Sequence, residues 1–311
     1  MEIHKIFFQL IQVSIGKRAK LDITPSPEEW EQLFDIANKQ SLAGVCFAGL
    51  KKLPAEQSPG EDLVMDWMGK SISTQRRNDK VTMVCGELND YFRSKGFNTC
   101  VLKGQSNHVY YPADMAGNRT SGDIDIWLFP KDGETSQVCK TMHFLEQENS
   151  IVSFAYLHAE LKPYKTVAIE AHFRPTFLNE PIHNHRLQKW YWENKADCIM
   201  EIEIADGITI PMLKPVYNII FQLVHIYRHL LDEGIGLRQL LDYYFLLRGT
   251  VQSLTEEQKK TIADKLSAFG LSRIAGAVMY VLRQVFMIEE KYMIVPVNER
   301  YGRQLLDEIM I

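Results

Sequence analysis

Residues 119–128 read R-T-S-G-D-I-D-I-W-L, and the rest of the chain is organised around them. Asp123 and Asp125 lie two positions apart in an apolar run, which is the alternation expected of a β-strand. Their side chains should share one face, while Ile124 and Ile126 point into a core. Two carboxylates held this close repel each other, and a divalent cation relieves that repulsion. Ligands that are all oxygen atoms suit Mg²⁺ or Mn²⁺.

The segment just upstream, V-L-K-G-Q-S-N-H-V-Y-Y-P at residues 101–112, complements this pair. An apolar strand over 99–103 is predicted to stop at Gly104, because glycine allows a positive φ and a close approach of the backbone to a ligand. A short helix predicted to start near Gln105 would point free N–H groups at that ligand, which favours a phosphate. A phosphate site beside a metal-binding carboxylate pair indicates chemistry on a nucleoside triphosphate.

The composition is that of an ordinary globular protein: of 311 residues, 46% are hydrophobic and 24% are charged. The formal net charge of −4 does not indicate non-specific binding to nucleic acid. The five cysteines are scattered and form no C-x-x-C motif, so we interpret them as reduced thiols. The sequence shows no signal-peptide layout and no uncharged apolar run near the ~18 residues of a membrane helix. We therefore expect a cytoplasmic protein without a membrane segment.

Hydrophobic periodicity divides the chain into a helical part, a part that alternates strands and helices, and a second helical part. This order predicts an α+β fold, in which a small mixed β-sheet core is flanked by N- and C-terminal helical subdomains. We expect the three domains to span residues 1–78, 79–211 and 212–311. Strands are predicted over 99–103, 123–129, 151–157, 164–173, 202–204 and 208–210. In the strand over 164–173, the alternation turns Glu170 away from the core.

A glycine after one strand, an Asp-x-Asp pair on the next and an acidic residue on a later strand together resemble the polymerase-beta-type nucleotidyltransferase superfamily. The motifs L-K-G, Y-P, R-x-x-G-D-I-D-I, I-E-x-H, H-x-x-x-H and L-R-x-x-L-D more closely resemble bacterial nucleotidyltransferases of unknown substrate. The resemblance implies that Asp123, Asp125 and Glu170 bind two metal ions, Mg²⁺ or Mn²⁺, and that Gly104 holds the triphosphate. It also implies an NTP as substrate and a hydroxyl acceptor on a small molecule, a protein or an RNA.

Three further residues are candidates for nucleotide binding. The superfamily usually has a Gly-Ser pair at this turn. Here Gln105 follows Gly104, and Ser106 comes one position later. Lys103 can reach a phosphate as a point charge, and the alternative is a surface lysine. Arg119 can clamp a phosphate with its planar guanidinium, and the alternative is a loop arginine paired with a nearby acid.

The expected mechanism is attack of the acceptor hydroxyl on the α-phosphate, with pyrophosphate as the leaving group. Asp123 and Asp125 should bridge the two metal ions, and Glu170 should hold the metal at the nucleophile and help to take its proton. Without metal, the three carboxylates are expected to repel one another and raise each other's pKa. Two other functions stay open: a non-catalytic nucleotide-binding module, and a toxin-like or antitoxin-like member of a protein pair.

Other motifs receive structural interpretations. His225 and His229 have the i, i+4 spacing of zinc ligands, but no third ligand is evident, so packing of the helix on the sheet is favoured. Arg238 and Asp242 are also four residues apart, and a structural ion pair is expected. Four tryptophans are interpreted as residues of the core or of a groove wall: Trp67, Trp127, Trp190 and Trp192.

Overall fold

A computed structural model describes residues 2–131, 137–232 and 234–310. Within these residues the fold is mixed α+β, as predicted, and its one sheet lies between helical regions in the sequence. The chain forms two compact units. The helical unit comprises residues 1–77, 110–120 and 226–311, and the sheet unit comprises residues 78–109 and 121–225. The division into domains 1–78, 79–211 and 212–311 stays a prediction.

The α-helices of the described residues fall mainly in the two predicted helical parts. They are α1 (Glu2–Ser14), α2 (Pro27–Lys39), α3 (Ala43–Leu50), α4 (Glu61–Ser94), α5 (Ala113–Ala116), α6 (Gln137–Gln147), α7 (Pro181–Glu193), α8 (Pro215–Asp232), α9 (Leu237–Thr250), α10 (Glu256–Ala268), α11 (Ser272–Phe286) and α12 (Glu299–Ile309). Ser26 and Glu29 form a reciprocal capping box at the start of α2, which satisfies two backbone donors there. Gly96, with a φ of 88°, follows the end of α4, as expected of a left-handed residue after a helix.

Seven strands of the sheet unit form a single mixed sheet in the order β3-β4-β5-β2-β1-β7-β6. The strands are β1 (Phe97–Val101), β2 (Ile124–Pro130), β3 (Ile151–Phe154), β4 (His158–Tyr164), β5 (Val167–His172), β6 (Ile199–Ala205) and β7 (Ile208–Leu213). Strand β2 pairs antiparallel with β1 and parallel with β5. The strands predicted over 202–204 and 208–210 are confirmed within β6 and β7, which pair antiparallel as a hairpin, and Gly207 between them has a φ of 71°.

The sequence prediction missed one strand of this sheet. It places strands over 151–157 and 164–173 and none over 158–163, whereas β4 covers residues 158–164 and pairs antiparallel with both β3 and β5. The turn from β4 to β5 uses Lys165 and Thr166, both with positive φ, although neither is a glycine. The usual turn signal is therefore absent from the sequence, and the strand predicted over 164–173 runs across this turn.

The core of the sheet unit lies against one face of the sheet. Ile124, Ile126 and Leu128 of β2 are buried in it, together with Ile169 and Ala171 of β5. Buried residues of α4 and α6, including Val84 and Leu145, pack against the same face. The predicted alternation is therefore confirmed, and it leaves the odd-numbered side chains of β2 and the even-numbered side chains of β5 on the other face.

The cysteines are all free thiols, and four of the five are buried. In the described parts of the chain, no single helix combines the length and the apolar character needed to cross a membrane. Only α10 and α11 taken together reach that length and composition, and they meet at an angle of 118°.

Candidate active site

The three predicted metal ligands come together on the polar face of the sheet. Asp125 of β2 lies directly opposite Glu170 of β5 in the parallel ladder, and Asp123 precedes β2 by one residue. One oxygen from each carboxylate lies within 4.8 Å of the other two. We call these three residues the carboxylate cluster. Asp125 is buried, whereas Asp123 and Glu170 are partly exposed, so the cluster is accessible from one side.

The ammonium of Lys103 lies against two members of the carboxylate cluster. Its Nζ is 3.1 Å from Oδ2 of Asp125 and 3.4 Å from Oδ1 of Asp123. Lys103 follows β1, the antiparallel neighbour of β2, so the sheet itself brings the three residues together. Burial alone would lower the pKa of Lys103, but the charges of Asp125, Asp123 and Glu170 raise it above its ordinary value. Lys103 therefore stays positively charged.

Two histidines complete the charge pattern, and the sequence prediction gave them no role. His172 Nε2 lies 3.0 Å from Oδ1 of Asp125 and 3.3 Å from Oε2 of Glu170. His158 Nδ1 lies 3.4 Å from the same oxygen of Glu170. His158 and His172 are direct partners in the antiparallel ladder of β4 and β5. The I-E-x-H motif includes His172. His158 lies on β4, a strand that the sequence did not predict, so its position beside Glu170 could not be predicted either.

The expectation that the carboxylates raise each other's pKa is wrong for Asp125. Burial would raise its pKa, but the positive charge of Lys103 and the hydrogen bond from His172 outweigh burial, and the pKa lies well below its ordinary value. For Glu170 the expectation holds, because burial and the charges of Asp125 and Asp123 raise its pKa. Burial lowers the pKa of His172, but hydrogen bonds to Asp125 and Glu170 raise it to about 8.

The turn at Gly104 has the predicted geometry. Gly104 has a φ of 68°, and a Cβ placed on it would contact the backbone oxygen of Asp123 at 3.7 Å. A 3₁₀-helix, Gly104–Tyr110, follows directly, where a short helix was predicted. The Oγ of Ser106 is buried, and no hydrogen-bond partner for it is found among the residues that the structure describes.

Gln105 anchors this turn within the sheet unit. Its side-chain amide donates to Oγ1 of Thr82 at 2.9 Å and to the backbone oxygen of Asn78 at 3.3 Å. Its side-chain oxygen accepts a hydrogen bond of 2.9 Å from the hydroxyl of Ser121. Thr82 and Asn78 belong to α4, so the polar side chain at this position holds the turn on that helix.

Arg119 lies in the helical unit, where an acid holds its guanidinium. Its Nε is 2.6 Å from Oδ1 of Asp242 and its Nη2 is 2.7 Å from Oδ2, and both side chains are buried. The hydroxyl of Tyr111 also donates to Asp242 at 2.6 Å. This geometry favours the alternative interpretation of Arg119, an arginine paired with an acid. Arg238 donates to the backbone oxygen of Thr120 at 2.9 Å.

The remaining aromatic candidates have packing contacts. His225 stacks on Phe221 with ring centroids 6.1 Å apart, and its charge also lowers the pKa of Asp125. His229 belongs to the helical unit. Of the four tryptophans, Trp67, Trp127 and Trp190 are buried, in agreement with their interpretation as core residues. Trp192 is 37% exposed, and the ammonium of Lys195 lies 3.6 Å from its ring centroid.

Known proteins resemble this chain at the level of a family. A search of curated proteins found no match. One solved structure that matches is the crystal structure of an antigenic nucleotidyltransferase-like protein from Paracoccidioides brasiliensis, at 12% identity and a TM-score of 0.38. The match covers 62% of this chain and 93% of that one. Residues 26–287 match the family described as "Uncharacterised nucleotidyltransferase". Because this match spans most of the sequence, the chain belongs to that nucleotidyltransferase family.

Proposed function

We propose that this protein transfers a nucleoside monophosphate from an NTP to a hydroxyl group of an acceptor, with Mg²⁺ or Mn²⁺ held by the carboxylate cluster. The observation that carries the proposal is the convergence of three carboxylates within 4.8 Å, two on the adjacent strands β2 and β5 and one just before β2, beside the turn at Gly104. The donor set fits a hard divalent cation, because all three side chains offer oxygen atoms. Membership of a nucleotidyltransferase family supports an NTP as the substrate.

The bound cations would neutralise charge on the phosphates and lower the pKa of the attacking hydroxyl. Asp123 and Asp125 would hold them on the nucleotide side, and Glu170 on the side of the nucleophile. Glu170 would also help to take the proton of the attacking hydroxyl, because it lies on the side of the nucleophile.

Lys103, Gly104 and Ser106 would bind the triphosphate. The positive φ of Gly104 keeps a side chain away from the turn, so that backbone N–H groups can approach phosphate oxygens. The buried hydroxyl of Ser106 would gain an acceptor that the described residues do not give it. Lys103 compensates Asp123 and Asp125 before cations bind, and afterwards its ammonium is available to a phosphate. Arg119 would act indirectly, by holding its own loop through Asp242.

The test is a screen of the four NTPs, each labelled at the α-phosphate, with Mg²⁺ or Mn²⁺ and pooled small molecules, proteins and RNAs. The expected result is pyrophosphate release together with transfer of the label to one acceptor pool, and neither in the Asp125→Asn variant. Binding of NTP without pyrophosphate release under every condition would instead favour a non-catalytic nucleotide-binding module. Growth inhibition on expression, relieved by a partner protein, would favour the toxin–antitoxin alternative.

A further inference from the structure

We propose that His158, Glu170 and His172 form a second cation site, which takes a divalent transition metal of the zinc class rather than Mg²⁺. We call these residues the histidine cluster. It shares Glu170 with the carboxylate cluster but offers two imidazole nitrogens in place of the two aspartates. Binding of the ion follows from the residues themselves, whereas its role in transfer rests on the proposed function.

The sheet holds the three side chains of the histidine cluster together. His158 of β4 lies directly opposite His172 of β5, and Glu170 is two residues before His172 on the same strand. All three side chains therefore project from one face. One donor atom from each lies within 4.8 Å of the other two. Donors on paired strands of a sheet are held more precisely than donors on loops, and that favours a defined metal geometry.

Two of the three separations between donor atoms match those around a tetrahedral ion. Zinc bonds to nitrogen and carboxylate oxygen at about 2.0–2.2 Å, which separates neighbouring ligand atoms by about 3.3–3.5 Å in a tetrahedron. Oε2 of Glu170 lies 3.3 Å from Nε2 of His172 and 3.4 Å from Nδ1 of His158. An ion could therefore bind with little movement of these two pairs.

A hydrogen bond to the backbone orients the ring of His172 for this role. Its Nδ1 lies 3.3 Å from the backbone oxygen of Arg174, while its Nε2 faces Asp125 at 3.0 Å and Glu170 at 3.3 Å. A ring that donates from Nδ1 to a carbonyl carries its lone pair on Nε2 when neutral. Histidines that bind metals in proteins are commonly fixed by a second hydrogen bond of this kind.

The donor set decides the class of metal. Imidazole suits zinc and its neighbours in the transition series, whereas Mg²⁺ prefers oxygen ligands. Two histidines and one carboxylate, with a coordination position left open, are the ligands of several catalytic zinc sites. The side chains of Glu170 and His158 are 24% and 15% exposed, which leaves a route for the ion and for a hydroxyl. An ion bound beside Glu170 would then polarise the acceptor hydroxyl.

Cobalt titration of the intact, chelator-stripped protein tests the histidine cluster, because Co²⁺ substitutes for zinc and absorbs visible light when nitrogen ligands bind it. We expect visible d–d bands in the wild-type protein. We expect His158→Gln to weaken Co²⁺ binding by at least about 100-fold, since loss of an outer-shell partner alone commonly costs 10–100-fold. His143→Gln removes an exposed histidine of α6 and should leave the titration unchanged.

Two further measurements keep the test decisive. Asp123→Asn alters the carboxylate cluster alone, so we expect it to abolish nucleotide transfer and to retain the Co²⁺ bands. If His158→Gln does not fold, NMR of the Co²⁺-loaded wild-type protein should still show shifted imidazole protons from both histidines. Absence of the bands, or bands that persist in a folded His158→Gln variant, would overturn the site. Bands without nucleotide transfer under any condition would count against the proposed function and leave the site standing.

Discussion

At the scale of single residues, the main finding is that positive charges lie inside the carboxylate cluster. The sequence alone indicates only repulsion among the three acids. Lys103 contacts Asp123 and Asp125, and His172 bridges Asp125 and Glu170, so these charges are compensated in the absence of metal. Alternation along the strands predicted that the acids share one face of the sheet. The contact of Lys103 with them depends on the pairing of β1 with β2, which alternation does not predict.

The Asp125→Asn substitution should therefore affect both activity and stability. Removal of a charge that stabilises the transition state commonly costs about 10²–10³ in rate, so we expect transfer to fall by that factor or more. The metal-free variant should be less stable by about 1–3 kcal/mol, because Lys103 and His172 each lose a buried charged partner and keep one other. Denaturant unfolding with and without chelator measures the second effect.

Asp123→Asn is the matched control for this stability effect, because Asp123 is more exposed and contacts Lys103 at 3.4 Å. It should cost less stability than Asp125→Asn. An Asp125→Asn variant with unchanged stability would mean that Lys103 and His172 do not depend on this carboxylate for compensation.

Asp242→Asn should destabilise the helical unit more strongly. Arg119 would lose its two charged hydrogen bonds and remain buried. Removal of one partner of a buried ion pair typically costs about 3–5 kcal/mol of stability, and we expect a loss of that size. Asp264→Asn, at an exposed site on α10, is the control and should change little. Urea unfolding at neutral pH measures both variants.

The lowered pKa of Asp242 also predicts part of the loss of stability in acid. Burial opposes ionisation of Asp242, but Arg119 and Tyr111 stabilise its charge and lower its pKa below the ordinary 3.8. A group with a lowered pKa in the folded state contributes stability above its unfolded pKa and loses it as the pH falls through the folded one. The difference in stability between the wild type and Asp242→Asn should therefore be full at neutral pH and shrink below about pH 4. A difference that does not change with pH would show that the charge of Asp242 contributes nothing.

At the scale of elements, local signals predicted the strands and the turn, whereas their pairing could not be read from the sequence. The apolar alternation of β2 and β5 and the glycine after β1 are local features, and each one is confirmed. The opposition of Asp125 to Glu170 and of His158 to His172 depends on register, which is set by contacts distant in the sequence. Similarly, no local signal joins Arg119 to Asp242.

Gly104→Ala tests whether the turn depends on glycine. An alanine at a φ of 68° costs about 1–2 kcal/mol in backbone strain, while its methyl group meets only an ordinary contact at 3.7 Å. We expect that loss of stability, together with weaker NTP binding, in denaturant unfolding and nucleotide titrations. Gly69→Ala, on the exposed side of α4 with nothing within 4 Å of the new Cβ, should instead stabilise by about 0.5–1 kcal/mol. Equal effects of the two substitutions would show that the turn tolerates a side chain.

At the scale of the whole molecule, the fold class follows from the order of periodicities, but the compact units do not follow the sequence order. Residues 110–120 interrupt the sheet unit and belong to the helical unit, so each unit is built from stretches that are separate in the sequence. Hydrophobic patterns are local, whereas compactness depends on which distant segments bury each other's apolar surface. The residues that we propose to contact metal and nucleotide directly nevertheless all lie in the sheet unit, at positions 103, 104, 106, 123, 125 and 170.

Metal and nucleotide together should therefore stabilise the folded protein. A ligand at 100 times its dissociation constant adds about 2.7 kcal/mol when it binds only the folded state, and for a domain of 150–250 residues this corresponds to a rise in Tm of roughly 5–10 °C. We expect this shift with Mg²⁺ or Mn²⁺ plus the correct NTP. NTP with chelator should give a much smaller one, because the triphosphate then lacks the cations that would neutralise its charge. Asp264→Asn should show the full shift and Asp125→Asn little or none. If no combination of these metals and the four NTPs changes the wild-type Tm, the carboxylate cluster does not bind nucleotide. The three acids are brought together only in the folded protein, so cations that bind them must raise the Tm.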